Sequence, residues 1–187
     1  MKRNILSTMI CMAAAILVLL PALSSCKKNN EDIRFTDFNP DLMLESYQDS
    51  LGLDLDQDGR YDIQVYLYNC GSVAGYGVLK PTSDQWELTF CGDGEDLSIA
   101  HPDIPYFHWS SEELQMDAPN PDNPEQRYGI RFVDGSNYYY GWLDCICTYE
   151  YSDNPNIRPK TVVTIDKMAF CTIPNYPLTW GQTKVKQ

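Results

Sequence analysis

Residues 54–62 read Asp54-Leu55-Asp56-Gln57-Asp58-Gly59-Arg60-Tyr61-Asp62, and Ile63-Gln64-Val65-Tyr66-Leu67-Tyr68 follows without a break. The second half alternates apolar and polar residues, the period of a half-buried strand. The chain must therefore enter a β-sheet directly out of an acidic loop. Carboxylates crowded on so short a loop repel one another unless a cation neutralises them. Ca2+ takes six to eight oxygen ligands in flexible geometry, and Gly59 permits the sharp turn that aims such oxygens inward. The spacing predicts a Ca2+ site in which Asp54, Asp56 and Asp58 give side-chain oxygens, Arg60 its backbone carbonyl, and Asp62 the closing carboxylate. In a helix–loop–helix site a glutamate at the twelfth position closes the shell; here that position is Val65, inside the strand pattern. The plainer alternative is a hairpin turn at Asp58-Gly59 with the other aspartates in water.

The chain begins Met1-Lys2-Arg3, and an apolar run over residues 5–20 follows, too short and wrongly flanked for a membrane span. Residues 1–25 are expected to be a secretory signal peptide. Leu23-Ser24-Ser25-Cys26 resembles the lipobox of bacterial lipoproteins, in which cleavage before the cysteine leaves a new N-terminus that is acylated. That resemblance makes Cys26 the membrane anchor, and several acyl chains exceed the single chain that binds only reversibly. Residues 26–40 are expected to form a flexible tether, led by the polar run Lys27-Lys28-Asn29-Asn30-Glu31-Asp32.

The formal net charge is −12. Removing residues 1–25 takes away Lys2 and Arg3 and no acid, so the mature chain is more negative still. Such a surface repels phosphate backbones, which excludes nucleic acid as an expected partner. There is no Gly-x-Ser-x-Gly, no His-Glu-x-x-His and no Gly-rich phosphate loop. With 26 acidic residues, any pair chosen for glycoside hydrolysis is arbitrary. His101 and His108 read as ordinary loop residues, and no catalytic set is expected.

Aromatic and β-branched residues recur in short runs broken by Gly, Pro, Asn and Asp, an all-β signature. Strands are expected over 63–69, 86–91, 128–133, 138–151 and 161–171, with a weaker one leading from Ser46 into the acidic loop. Residues 41–47 and 110–116 look briefly helical, the latter with Ser110 and Glu113 spaced as a capping box. Strands of this length close most economically as two packed sheets. The expectation is an all-β, antiparallel two-sheet β-sandwich over 41–187, with long loops and at most one or two short helices. Residues 92–96 and 118–124 are turn-rich and acidic, and read as exposed loops.

Outside the leader and the anchor the cysteines are Cys70, Cys91, Cys145, Cys147 and Cys171, an odd number. An exported location permits disulfides. Cys70 with Cys91, each at the end of an expected strand, is the candidate pair, and buried thiols are the alternative. Two aromatic clusters stand out, Tyr106-Phe107-His108-Trp109 and Tyr138-Tyr139-Tyr140-Gly141-Trp142. Tyr106 and Trp109 are candidate stacking residues for a glycan. Tyr138, Tyr140 and Trp142, two apart, share one strand face and are expected to fill the sandwich core.

Together with the acidic loop, Tyr140-Gly141-Trp142 and the tail Pro174-Asn175-Tyr176-Pro177-Leu178-Thr179-Trp180-Gly181 resemble secreted and lipid-anchored β-sandwich proteins common in Bacteroidota. The resemblance runs from about Leu53 to Thr183. The chain departs from that pattern at Asp144-Cys145-Ile146-Cys147 and in its long middle loops. The resemblance implies the fold and an address at the bacterial outer membrane, on the cell surface or the periplasmic face, and brings no activity with it. The function expected is a non-enzymatic, calcium-stabilised binding or structural module. The alternative is a glycan-binding or glycan-processing accessory.

Overall fold

The computed structural model describes residues 32–71, 74–91, 96–98, 108–116, 126–154 and 156–186. Among them there are nine strands and no helix: β1 (Ile33–Leu44), β2 (Ser50–Leu53), β3 (Ile63–Tyr68), β4 (Tyr76–Pro81), β5 (Trp86–Phe90), β6 (Leu114–Gln115), β7 (Gln126–Asp134), β8 (Asn137–Glu150) and β9 (Lys160–Cys171). One sheet runs β1-β9-β8-β7-β5 and the other β2-β3-β4-β6, and the ladders are antiparallel. β7 turns into β8 through Gly135-Ser136, with Gly135 at φ 60°, the left-handed conformation a two-residue hairpin demands.

The expected two-sheet sandwich is what forms. Ile63, Val65 and Leu67 of β3 point inward with Leu53 and Leu79, and meet Trp86, Leu88, Ile130, Leu143 and Val163 from the five-stranded sheet. A polar contact lies between the layers: the Thr161 hydroxyl donates to the Gly75 carbonyl at 3.1 Å, and Tyr47 Oη lies 3.1 Å from Thr161 Oγ1. Thr161 is thereby satisfied although fully buried.

Along β9 the inward set changes parity. Val163 and Ile165 face the other sheet, and so do Met168 and Phe170. The register explains it, because Asp144 pairs with Lys167 while Cys145 pairs with Ile165, leaving Asp166 as an extra residue in a bulge. A one-residue insertion flips every later side chain to the opposite face. It sends Ala169 and Cys171 outward, onto the same side as Tyr140 and Trp142.

That outer face is not left to water. Residues 172–186 fold over it, with Leu178 fully buried beside Tyr140, Trp142, Ala169 and Leu97. Trp142 Nε1 donates to the Gln182 carbonyl at 3.0 Å. The Asn175 amide donates to the Tyr138 carbonyl at 2.7 Å, and the Tyr138 amide returns a bond to Asn175 Oδ1 at 3.0 Å. The Arg127 guanidinium sits 4.3 Å from the Trp180 ring centroid. Tyr140 and Trp142 are therefore buried as expected, but in a second core on the far side of the sheet, while Tyr138 on the same face is partly exposed.

Three further expectations are corrected. Residues 33–40, expected in the tether, belong to β1, because edge pairing with β9 is made by main-chain groups and does not need an apolar sequence. Pro40 falls in the gap between the Asp37 and Leu42 pairings, where no ladder amide is required. Residues 41–44 complete the same strand, so the expected first helix does not form. In place of the second helix, Ser110 bridges Leu88, and Leu114–Gln115 pair with Leu79 and Val78 as β6. Tertiary pairing overrides a weak local helical pattern.

If the tail is part of the core, Leu178→Ala should destabilise the domain by about 2–5 kcal/mol, the usual cost of a truncated buried leucine. Urea unfolding measures it, and a loss too small to resolve would reduce the tail to a surface appendage.

Candidate metal centre

Alternation builds the acidic loop from below. Leu53 and Leu55 are buried in the core, and Asp54 between them points toward the surface. From Asp56 the chain must turn back to start β3, and it does so through Gln57 at φ 56° and Gly59 at φ 91°. The loop is closed at its base by the Asp62 amide, which donates to the Leu53 carbonyl at 2.8 Å.

Within the turn the aspartates collect main-chain amides. Asp54 accepts from Asp58 (3.1 Å to Oδ1) and Gly59 (2.9 Å to Oδ2). Asp56 Oδ1 accepts from Asp58 at 3.0 Å, and Asp58 Oδ1 from Arg60 at 2.8 Å. The outcome is that one carboxylate oxygen from each of Asp54, Asp56 and Asp58 lies within 4.8 Å of the other two. Two oxygens on opposite sides of one Ca2+ are separated by about 4.6–5.2 Å, twice the usual bond length. A metal ion could be held between these three aspartates, and their all-oxygen chemistry suits a hard cation. Burial, and then the neighbouring Asp58 and Asp54 charges, push the Asp56 carboxyl above its ordinary range.

Asp62 plays a different part from its neighbours. It is buried and lies outside the cluster of three, with Oδ2 accepting the Leu55 amide at 2.7 Å and the Asp56 amide at 3.3 Å. Its carbonyl accepts from the Thr82 amide (2.9 Å) and hydroxyl (3.0 Å), and the same hydroxyl reaches the Tyr61 carbonyl at 2.7 Å. Asp62 is thus a brace for the loop, and Thr82, which no sequence motif marks, ties that brace to the end of β4. Arg60 is exposed, with its amide on Asp58. Burial pushes the Asp62 carboxyl up to about 6, against the opposing pull of the two amides it accepts.

The other candidate residues do not join this site. No disulfide links Cys70 to Cys91. Cys70 lies just past β3 in one sheet, and Cys91 is held in the other by its amide on the Arg127 carbonyl at 3.0 Å. Ending a strand does not set two Cβ atoms at bonding distance. Cys145, Cys147 and Cys171 are buried, and burial raises all three thiols. Trp109 is half-buried over Gly129, with the Arg131 guanidinium 4.7 Å from its ring centroid and Tyr140 at 6.1 Å, so its ring is engaged inside the protein. Cys26 and Tyr106 lie outside the described residues.

No protein-family model, curated protein or solved structure matches the chain.

A carboxyl whose folded-state pKa lies above its unfolded value stabilises the fold most when protonated. In chelator, the Asp62 contribution should be full below about pH 4 and lost as pH rises through about 6. Asp62→Asn should therefore gain melting temperature relative to the parent protein at about pH 7 compared with about pH 4.5. A melting difference equal at both pH values would mean that another group titrates.

Proposed function

We propose that this chain is a lipid-anchored protein of the bacterial outer membrane, whose calcium-clipped β-sandwich serves as a non-enzymatic binding or structural module. The observation that carries the reading is the convergence of the Asp54, Asp56 and Asp58 oxygens within 4.8 Å. The loop sits between two strands of one sheet, so an ion there would couple β2 to β3. Asp54, Asp56 and Asp58 would hold it, with Asp62 and Thr82 keeping the loop's arms in place. The chemistry a bound Ca2+ supplies is charge neutralisation among carboxylates that otherwise repel.

The address rests on the leader and on the Leu23-Ser24-Ser25-Cys26 box, and the family likeness of the acidic loop and the tail points the same way. The acidic surface makes nucleic acid an unfavourable partner. A site of the weak extracellular kind, with a dissociation constant of about 0.1–1 mM, gives about 1 kcal/mol of stabilisation at millimolar calcium. That magnitude suits a structural clip better than a sensor.

Three measurements test the reading. EDTA should lower the melting temperature, and Asp56→Asn combined with Asp58→Asn should abolish the difference between calcium and EDTA. No heat in a calorimetric titration at any millimolar calcium level would remove the ion. Cys26→Ser should shift the protein from the membrane fraction to the soluble fraction, and continued membrane retention would remove the anchor.

A further inference from the structure

The sandwich finishes its two outer faces differently. Residues 172–186 cover one. The other, on the four-stranded sheet, presents aromatic and polar side chains to water: the pleat sends Gln64, Tyr66 and Tyr68 of β3 outward, opposite the buried Ile63, Val65 and Leu67. Register sets Gly52 of β2 beside Gln64, and Lys80 of β4 on its other side.

Tyr61 lies at the edge of this face. It is 66% exposed, yet its ring has a fixed seat: a Cβ on Gly52 would fall 2.3, 2.4 and 2.5 Å from its Cγ, Cδ2 and Cδ1. A point so nearly equidistant from those three atoms lies above the ring plane, so the ring rests face-on upon the glycine. One face is closed by the strand and the opposite face is open. Next to it Gln64 Nε2 donates to Ser50 Oγ at 3.1 Å, which fixes the orientation of an exposed amide. The strip continues along β3 from Gln64, roughly 13 Å at the rise of a strand, to Tyr68, which stacks on Tyr76 with centroids 5.1 Å apart.

We propose that this face binds an uncharged polysaccharide chain, with Tyr61 as the stacking platform and Gln64, Ser50 and Lys80 as the hydrogen-bonding rim. A pyranose ring presents weakly positive C–H groups on one face, which sit on the electron-rich face of an aromatic ring. Its hydroxyls project around the edge, where a fixed amide, a hydroxyl and an ammonium can exchange hydrogen bonds with them. Electrostatics select the charge of the occupant. The chain's net charge of −12, and the aspartates of the adjoining loop, repel uronic, sulfated and phosphorylated sugars. The seat of Tyr61 is made by Gly52, so the proposal rests on the binding-module reading and not on the ion.

Native gels cast with a mixed-linkage β-glucan, a galactomannan, an arabinoxylan or an α-glucan, and with polygalacturonate as the anionic polymer, test it. The full chain should be retarded by at least one neutral polymer and not by polygalacturonate, both in calcium and in EDTA. Tyr61→Ala should weaken that retardation about tenfold or more, while Tyr61→Phe, which keeps the ring face, and Trp109→Ala should leave it near the parent value. The calcium-induced rise in melting temperature should persist in Tyr61→Ala, which separates a lost platform from a damaged loop. Retardation by no neutral polymer, preference for polygalacturonate, dependence on calcium, or a Tyr61→Ala protein retarded like the parent would each overturn the proposal.

Discussion

Burying the second apolar face of the five-stranded sheet is the requirement on which the rest of the structure depends. β8 and β9 are long and apolar on both sides, and the bulge at Asp166 adds Ala169 and Cys171 to the side already carrying Tyr140 and Trp142. Large aromatic side chains of this kind dominate core energetics when covered and are a liability when exposed. The four-stranded sheet already occupies the other side, so the cover comes from the C-terminal segment. Its Leu178 and Trp180 supply apolar area, and the Gln182 carbonyl satisfies the Trp142 indole.

That arrangement makes the molecule asymmetric. The tail closes one outer face, where Arg127 lies on the ring of its Trp180, while Arg131 lies between the rings of Trp109 and Tyr138. The other outer face keeps its polar alternation and meets water. The acidic loop stands at the edge of this wetter sheet, held by Leu53 and Leu55 below and by Asp62 and Thr82 at its base. A loop fixed this firmly at its ends needs help only at its apex, where Asp54, Asp56 and Asp58 crowd together.

The fold class was legible because strand alternation survives in one dimension: Ile63, Val65 and Leu67 declare an inward face before any partner is known. β1 was illegible for the opposite reason. It is an edge strand whose pairing is made by main-chain groups, and its Asn, Asp and Pro residues look like a linker. β4 was hidden by Gly75 and Gly77, although Gly77 is required there because a Cβ would meet Met116 and Val163 at 2.6 Å. The short helical pattern over 110–116 misled, since Ser110 and Leu114 take their partners from β5 and β4.

The acidic cluster itself was set locally. Spacing within nine residues and one glycine suffice to bring three aspartates together, so the sequence alone determined it. The same holds for the all-β character. Tertiary structure decided everything that depends on which face of a strand is covered and by what. It placed Tyr140 and Trp142 in an outer core beneath the tail, kept Cys70 and Cys91 in separate sheets, turned Asp62 into a buried brace, and seated Tyr61 on Gly52. Periodicity reports that a side chain faces away from its neighbours; only the packing of distant segments decides what it meets there.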